Sequence, residues 1–311
     1  SLLAPSSFLK PDGFPNPLGD YPTVVQNPSG SRTLVLQDWE WGKVFGRIKV
    51  QFDGKGQVTG WRDGSPIVVD ETVPEDPVVA GLFAAFQKPI LATMNQRIGE
   101  TKTSLERGGT MQLVVADAML EATRKFGAVA AFINVGGVRA GLEAGPITLG
   151  KLNEVQPFRN TLTILELSGA ELKAALETPV IGDSASGGLL IPSDGTHYDV
   201  NMGLPTQSRV INVVVAGAPL DPNAKYKVAL LGFTASGGDA HTVLKAAKGY
   251  RYDTGLLDID ALTDFIKLKS PLNYAKGDRV KFSKSNQSAQ KRLQYANLSL
   301  MAGLRSYVMG R

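Results

Sequence analysis

The chain has no cysteine among its 311 residues. Disulfides, thiolate metal sites and cysteine nucleophiles are therefore excluded, and the count fits either redox compartment. Histidine is almost as scarce: only His197 and His241 occur, far apart in sequence. Neither H-x-H nor H-E-x-x-H is present. The single D-x-H, Asp239-Ala240-His241, has no second imidazole near it. Transition-metal hydrolase sites draw on several imidazoles together with carboxylates, so no metal ligand is predicted within this chain. The G-x-S-x-G of a serine hydrolase and the G-K-[ST] ending of a P-loop are also missing. No apolar run approaches the ~18–20 residues of a membrane span, and none is predicted. The opening Ser1-Leu2-Leu3-Ala4 lacks a basic start and meets Pro5 at once, which predicts no signal peptide. Positive charge is concentrated at one end. Seven Lys/Arg and no Asp/Glu fall between 279 and 311, against a net charge of +4 for the whole chain. The basic balance thus belongs to a tail and gives no reason to expect a nucleic-acid partner.

What is present fits a globular protein of two domains: 43% hydrophobic and 20% charged residues, over a length that exceeds one ordinary core. Residues 1–30 are loop-like and carry six prolines. Strands are predicted at 33–37, 44–52 and 58–61, the last two joined by the turn Asp53-Gly54-Lys55-Gly56. Together they make a three-stranded meander, which buries little and needs a partner sheet that the sequence does not contain. Pro74-Glu75-Asp76-Pro77 announces a helix, with Asp76 as cap, that Pro89 should break or kink. From residue 97 onwards helices and strands mix. Helices are predicted at 109–126, 168–176 and 258–268. Strands are predicted at 98–105, 128–134, 161–167, 188–191, 198–201, 210–215, 226–231 and 280–282. The fold class is α+β, a mixed α/β arrangement. The organisation expected is a β-rich piece over 1–74, a connecting helix over 75–96, the main domain over 97–283, and a basic amphipathic tail over 284–311.

The chemistry concentrates on two glycine turns and their neighbours. Asn134-Val135-Gly136-Gly137-Val138-Arg139 sets an amide and a guanidinium about a turn. Its glycines would let backbone N–H groups approach an anion. Pro157-Phe158-Arg159-Asn160 and Phe233-Thr234-Ala235-Ser236-Gly237-Gly238-Asp239 each put a phenylalanine beside polar and glycine residues rather than inside a periodic apolar pattern. Two such rings can sandwich a base. Taken alone, each phenylalanine is as readily a core residue, and Asp239 as readily a turn carboxylate or helix cap. Its functional reading is an acceptor for ribose hydroxyls. Arg107, at the entrance to the predicted helix 109–126, would favour an anion there, although a solvated arginine looks the same in sequence.

F-I-N-V-G-G-V-R, I-T-L-G-K-L-N-E-V-Q-P-F-R-N-T-L, L-S-G-A-E-L-K-A-A-L-E and F-T-A-S-G-G-D resemble the C-terminal domain of 5′-nucleotidases, the UshA-like group of periplasmic and ecto-enzymes. Upstream, Y-P-T-V-V, W-G-K-V-F-G-R-I and V-P-E-D-P resemble the last strands of that family's metallophosphoesterase domain and the connector after it. The resemblance implies that Phe158 and Phe233 clamp a base, that Asp239 holds the ribose, and that Asn134, Arg139 and Arg107 contact the nucleotide. Four positions depart from the pattern. Val135 stands where glycine is common, Leu113 where asparagine is usual, Gly232 where a polar residue is frequent, and His241 where an aromatic usually follows G-G-D. The family's N-H-E and G-H-x-H metal motifs are absent from this sequence.

The implied function is the nucleotide- or nucleoside-binding C-terminal portion of a periplasmic or extracellular hydrolase. The parent would release phosphate from nucleoside 5′-phosphates or open related cyclic nucleotides. Its divalent metals, Zn or Mn, would be held by an N-terminal domain missing here, with no cofactor bound by this chain. Two other readings remain at this point. One is a stand-alone nucleotide-binding module. The other is a related hydrolase such as a thiosulfate-releasing enzyme, which would have no use for an aromatic clamp.

Overall fold

A computed structural model describes all residues except 1, 12–13, 15, 40–41, 182–186, 276, 278 and 284–311. The expected basic tail, 284–311, lies outside the described residues. By internal packing the chain divides into two units, Ser1–Phe86 and Gln87–Arg311.

The first unit holds four strands: β1 (Thr23–Gln26), β2 (Arg32–Val35), β3 (Val44–Phe52) and β4 (Val58–Val68). They form two separate antiparallel pairs, β1–β2 and β3–β4, and not the expected three-stranded meander. The reason lies in Thr-Val-Val-Gln at 23–26, a β-branched run hidden in the proline-rich opening. It takes β2 as its partner and leaves β3 to β4 alone. The Asp53–Gly56 turn forms as expected. Asp53 Oδ1 accepts from the amides of Lys55 and Gln57, and Gly56 adopts a left-handed φ of 79°. Phe45 and Phe52 remain exposed on this ribbon.

Helix α1 (Pro77–Met94) follows, capped by Asp76, whose Oδ1 accepts from Val78 and Val79 N–H. Pro89 does not break it. Proline removes the bond to the carbonyl four residues back, and Ala85 is exposed, so water can satisfy that carbonyl. No residue of α1 is buried. By length and composition alone α1 is apolar enough to cross a membrane, which corrects the expectation that no segment comes near. The uninterrupted apolar stretch is short, since Gln87 and Lys88 interrupt it. One such helix is weak evidence for a span.

The second unit contains β5 (Arg97–Thr101), α2 (Thr110–Thr123), β6 (Ala130–Asn134), β7 (Gly145–Thr148), α3 (Leu149–Val155), β8 (Thr161–Ser168), α4 (Gly169–Glu177), β9 (Leu190–Pro192), β10 (His197–Asn201), β11 (Val210–Val215), β12 (Ala218–Pro219), β13 (Lys225–Leu231), α5 (Gly232–Ala235), α6 (Thr242–Ala246), β14 (Arg251–Leu257), α7 (Asp258–Lys269) and β15 (Val280–Ser283). Its centre is a five-stranded mixed sheet in the order β14-β8-β13-β6-β9. Only the β13–β6 pair is parallel there. A second sheet runs β12-β11-β10-β15. The mixed α/β class is thereby established.

The central sheet is covered on both sides, so its strands are apolar almost throughout. Ala131 and Ile133 of β6, with Leu162 and Ile164 of β8, pack on α2 and α7. Ala130 and Phe132, with Leu165 and Leu167, pack on α4 and on the second sheet. The α4 start is a capping box: Ser168 Oγ accepts from Glu171 N–H, and Glu171 Oε2 accepts from Ser168 N–H at 2.8 Å.

A part-buried ion pair ties α2 to the approach to β15. Arg279 donates Nη1 to Asp117 Oδ1 at 2.6 Å and Nη2 to Oδ2 at 2.8 Å, while Tyr274 Oη–H and Asp194 N–H donate to the same carboxylate. Burial, with Asp117 second, pushes the Tyr274 phenol far above its ordinary range. Removing Asp117 leaves the part-buried guanidinium with only Pro192 O and the more distant Asp194 carboxylate. Asp117→Ala is therefore expected to cost about 1.5–3 kcal/mol for the charged hydrogen bonds lost, measured as a fall in urea-unfolding free energy. A loss within the range of a surface substitution would contradict the structural role of the pair.

Candidate functional site

The register of the central sheet brings distant loops to one end. Leu231 at the end of β13 stands opposite Leu162 near the start of β8. Leu230 pairs with Phe132, and Asn134 at the end of β6 pairs with Leu190 at the start of β9. The segments 134–139, 158–161, 187–190 and 232–241 therefore emerge together.

Asn134 is buried, and its Nδ2 donates to Asp239 Oδ2 at 2.7 Å. Asn134 Oδ1 accepts a long bond of 3.5 Å from Thr234 Oγ1. Asp239 itself is exposed, and among the described residues only its Oδ2 is bonded. Asp239 is not a helix cap, because α6 begins at Thr242.

The glycine turn is used differently from the expectation. Val135 N–H donates to Leu189 O, Gly136 N–H to Gly187 O, Val138 N–H to Val135 O and Arg139 N–H to Val155 O. These amides are engaged within the fold and do not form the anion-accepting group expected of them. The glycines serve close packing instead. A Cβ on Gly137 would lie 2.6 Å from Asn134 Oδ1 and 3.0 Å from Ile133 Cδ1.

Phe158 and Phe233 are 57% and 49% exposed and belong to neither apolar core. That decides against reading them as core residues. The Arg139 guanidinium lies over the Phe158 ring at 5.9 Å, within cation–π range. The turn carrying Phe158 is fixed by the next residues. Arg159 takes a left-handed φ of 54°, and Asn160 donates through its backbone N–H to Asp258 Oδ2 at 3.1 Å. Burial raises the Asp258 carboxyl above the ordinary carboxylate value. Phe233 lies against the second glycine turn, where a Cβ on Gly238 would meet its ring at 2.5 Å. Arg107 is half-buried, and backbone pairing ties its loop to the loop that follows Arg139. Leu105 and Leu142 exchange N–H···O bonds of 2.7 and 2.9 Å, which hold the 105–107 loop beside the 139–142 loop.

Three further residues of the assembly were not among the expected site residues. Arg251, from β14, donates to Ala235 O and Leu244 O at 3.0 and 2.7 Å and so holds the ends of α5 and α6. Gly188 passes so close that a Cβ there would lie 2.9 Å from Asp239 Cβ. His241 is completely buried, with Nε2 2.9 Å from Gly188 O. No group of three or more His, Asp or Glu able to hold a metal occurs among the described residues.

The imidazole of His241 is held below its ordinary pKa of 6.5, first by burial, against smaller opposing effects of the Gly188 bond and the Asp239 carboxylate. The folded value therefore lies below the unfolded one. Stability from this group is present above about pH 6.5 and is lost as pH falls towards the folded value, because unfolding then takes up a proton. His241→Gln removes that contribution. The urea midpoint of the wild type is expected to fall more than that of the variant between about pH 7.5 and 5.5; parallel pH profiles would contradict a buried neutral imidazole.

Residues 89–246 match the family model of the 5′-nucleotidase C-terminal domain. The chain is 30% identical over 270 residues to the trifunctional nucleotide phosphoesterase protein YfkN of Bacillus subtilis, covering 82% of this chain and 18% of that protein. It is 28% identical over 293 residues to human 5′-nucleotidase, covering 86% of this chain and 51% of the relative. The chain thus spans about half or less of these two relatives. The solved 5′-nucleotidase precursor of Thermus thermophilus superposes with a TM-score of 0.75 at 38% identity, over 91% of this chain and 58% of that one. The fold also recurs, at 22% identity and a TM-score of 0.57, in the Thermus thermophilus sulfate thiohydrolase SoxB, over 79% of this chain and 45% of that one.

Proposed function

This chain belongs to the 5′-nucleotidase family through its C-terminal domain, and from that premise we propose that the sheet end just described binds the nucleoside part of a nucleotide. The observation that carries this reading is the placement of Phe158 and Phe233. Both rings stay half-exposed at the sheet end that presents the Asp239 carboxylate. Shape and charge then divide the ligand. The rings offer apolar faces to a planar base, for which stacking contributes roughly 1–3 kcal/mol per base. Asp239, with Oδ2 fixed by Asn134, offers Oδ1 to ribose hydroxyls. Arg139 and Arg107 supply permanent positive charge for the phosphate side.

The fold alone does not choose this substrate, since a sulfate thiohydrolase shares it. The aromatic pair supports it, because a small inorganic ester gives two rings nothing to stack on. The parent reaction we propose is metal-dependent release of phosphate from nucleoside 5′-phosphates or related cyclic nucleotides. The metal centre, Zn or Mn, would come from a metallophosphoesterase domain outside this chain, with the 1–74 piece as its last strands. The residues present here would supply affinity and orientation of the substrate. A periplasmic or extracellular setting is part of the same proposal. It is supported by a relative named snake venom 5′-nucleotidase, from Macrovipera lebetinus, 30% identical over 295 residues.

Two measurements test the reading. Phe158→Ala and Phe233→Ala are each expected to weaken adenosine binding by roughly 1–3 kcal/mol in calorimetry; no loss for either would remove the base clamp. Asp239→Ala is expected to weaken adenosine more than 2′-deoxyadenosine, by on the order of 1.5–3 kcal/mol for a charged hydrogen bond. Equal losses would take Asp239 away from the ribose.

A further inference from the structure

The G-G-D turn is held in an unfavourable conformation. Asp239 has φ 52° and ψ 34°, and Ala240 follows with φ 64°. Two consecutive left-handed residues that are not glycine are costly, and they persist only where neighbouring contacts over-determine them. Three contacts are available. The first is Asn134 Nδ2 to Asp239 Oδ2 at 2.7 Å. The second is local, His241 N–H to Gly238 O at 3.2 Å. The third comes from the His241 side chain, whose Nε2 lies 2.9 Å from Gly188 O. A carbonyl only accepts, so Nε2 carries the proton and the neutral ring leaves Nδ1 unprotonated. Among the described residues Nδ1 has no partner.

Gly188 is not an arbitrary anchor. The adjoining residues receive the other glycine turn: Gly187 O accepts from Gly136 N–H at 2.8 Å, and Leu189 O accepts from Val135 N–H at 2.9 Å. The segment 187–189 is therefore a common strut. It fixes the Asn134 turn through backbone bonds and the Asp239 turn through one imidazole. We propose that His241 is a positioning residue for ribonucleoside recognition: by donating Nε2–H to Gly188 O it holds Asp239 in its left-handed conformation, with Oδ1 free for the ribose. This rests on the nucleoside-binding reading above. A phenylalanine could fill much the same volume, but it would supply no donor to Gly188 O.

The test compares the wild-type chain with three variants by calorimetry, using adenosine and 2′-deoxyadenosine, and by amide exchange at Asp239 and Ala240. His241→Phe keeps the bulk and removes the donor. His241→Gln keeps a donor at the reach of Nε2. His241→Asn keeps polarity but stops short of Gly188 O, and serves if the Phe variant does not fold. The expected result is a loss of about tenfold in adenosine affinity for Phe and Asn, a loss under about threefold for 2′-deoxyadenosine, and near wild-type binding for Gln. Wild-type affinity in the Phe or Asn variant would overturn the proposal, as would a Gln variant as weak as they are. Should the wild type bind neither nucleoside, the nucleoside reading fails, and exchange decides the role of His241 alone. Faster exchange at Asp239 and Ala240 in Phe or Asn, but not in Gln, supports the strut; equal rates in all overturn it.

Discussion

A single hydrogen bond, 2.7 Å from the Asn134 amide to the Asp239 carboxylate, joins residues 105 positions apart. The rest of the site depends on that closure, and the closure depends on strand register. Asn134 ends β6 and Asp239 follows β13, and these two are the parallel neighbours of the central sheet. A slip of one residue in either strand would turn its side chains to the opposite face. The sheet resists such a slip because each face is matched to its own core, with Ala131 and Ile133 on one side and Ala130 and Phe132 on the other. Glycine appears where the backbones crowd. Gly137 makes room for Asn134 Oδ1, Gly188 for Asp239, and Gly238 for the Phe233 ring.

The groups of this arrangement are ones that can orient a ligand. Its carboxylate and amide are bonded to one another, its arginines are permanently charged, and its one nearby imidazole is buried and neutral. Nothing in that set asks for a proton to move at neutral pH. On the proposed reading its work is to hold a rigid, planar, hydroxyl-bearing ligand at a fixed angle. Fixing a substrate in this way can supply a large part of a rate enhancement when the reacting groups lie elsewhere.

Much of the second unit was legible in the sequence because its signals were local. Ser168 and Glu171 announced α4, Asp76 and Pro77 announced α1, and apolar runs marked β6, β8 and β13. The motif residues were legible because turn chemistry separates Phe158 and Phe233 from any periodic pattern. What escaped was long-range. β14 gave no clear alternation, yet it supplies Arg251, which holds α5 and α6. His241 stood out only as a departure from the motif, and it is a buried donor to a carbonyl. Gly136 looked like an anion-binding amide, but its N–H already has Gly187 O. For His241 and Gly136 the partner lies dozens of residues away, where no spacing rule reaches, and for Arg251 it lies on the short helices before its strand. The first unit misled for a related reason: β1 lay inside a proline-rich stretch, and pairing it with β2 redistributed the hairpins.

The central claim is geometric, so the most direct test is a crystal structure of the chain grown with adenosine. The account predicts the base between the Phe158 and Phe233 rings, with a ribose hydroxyl oxygen within about 2.5–3.0 Å of Asp239 Oδ1 and the Asn134–Asp239 bond intact. Adenosine bound elsewhere, or bound at this end with its base off both rings and its ribose turned away from Asp239, would contradict it.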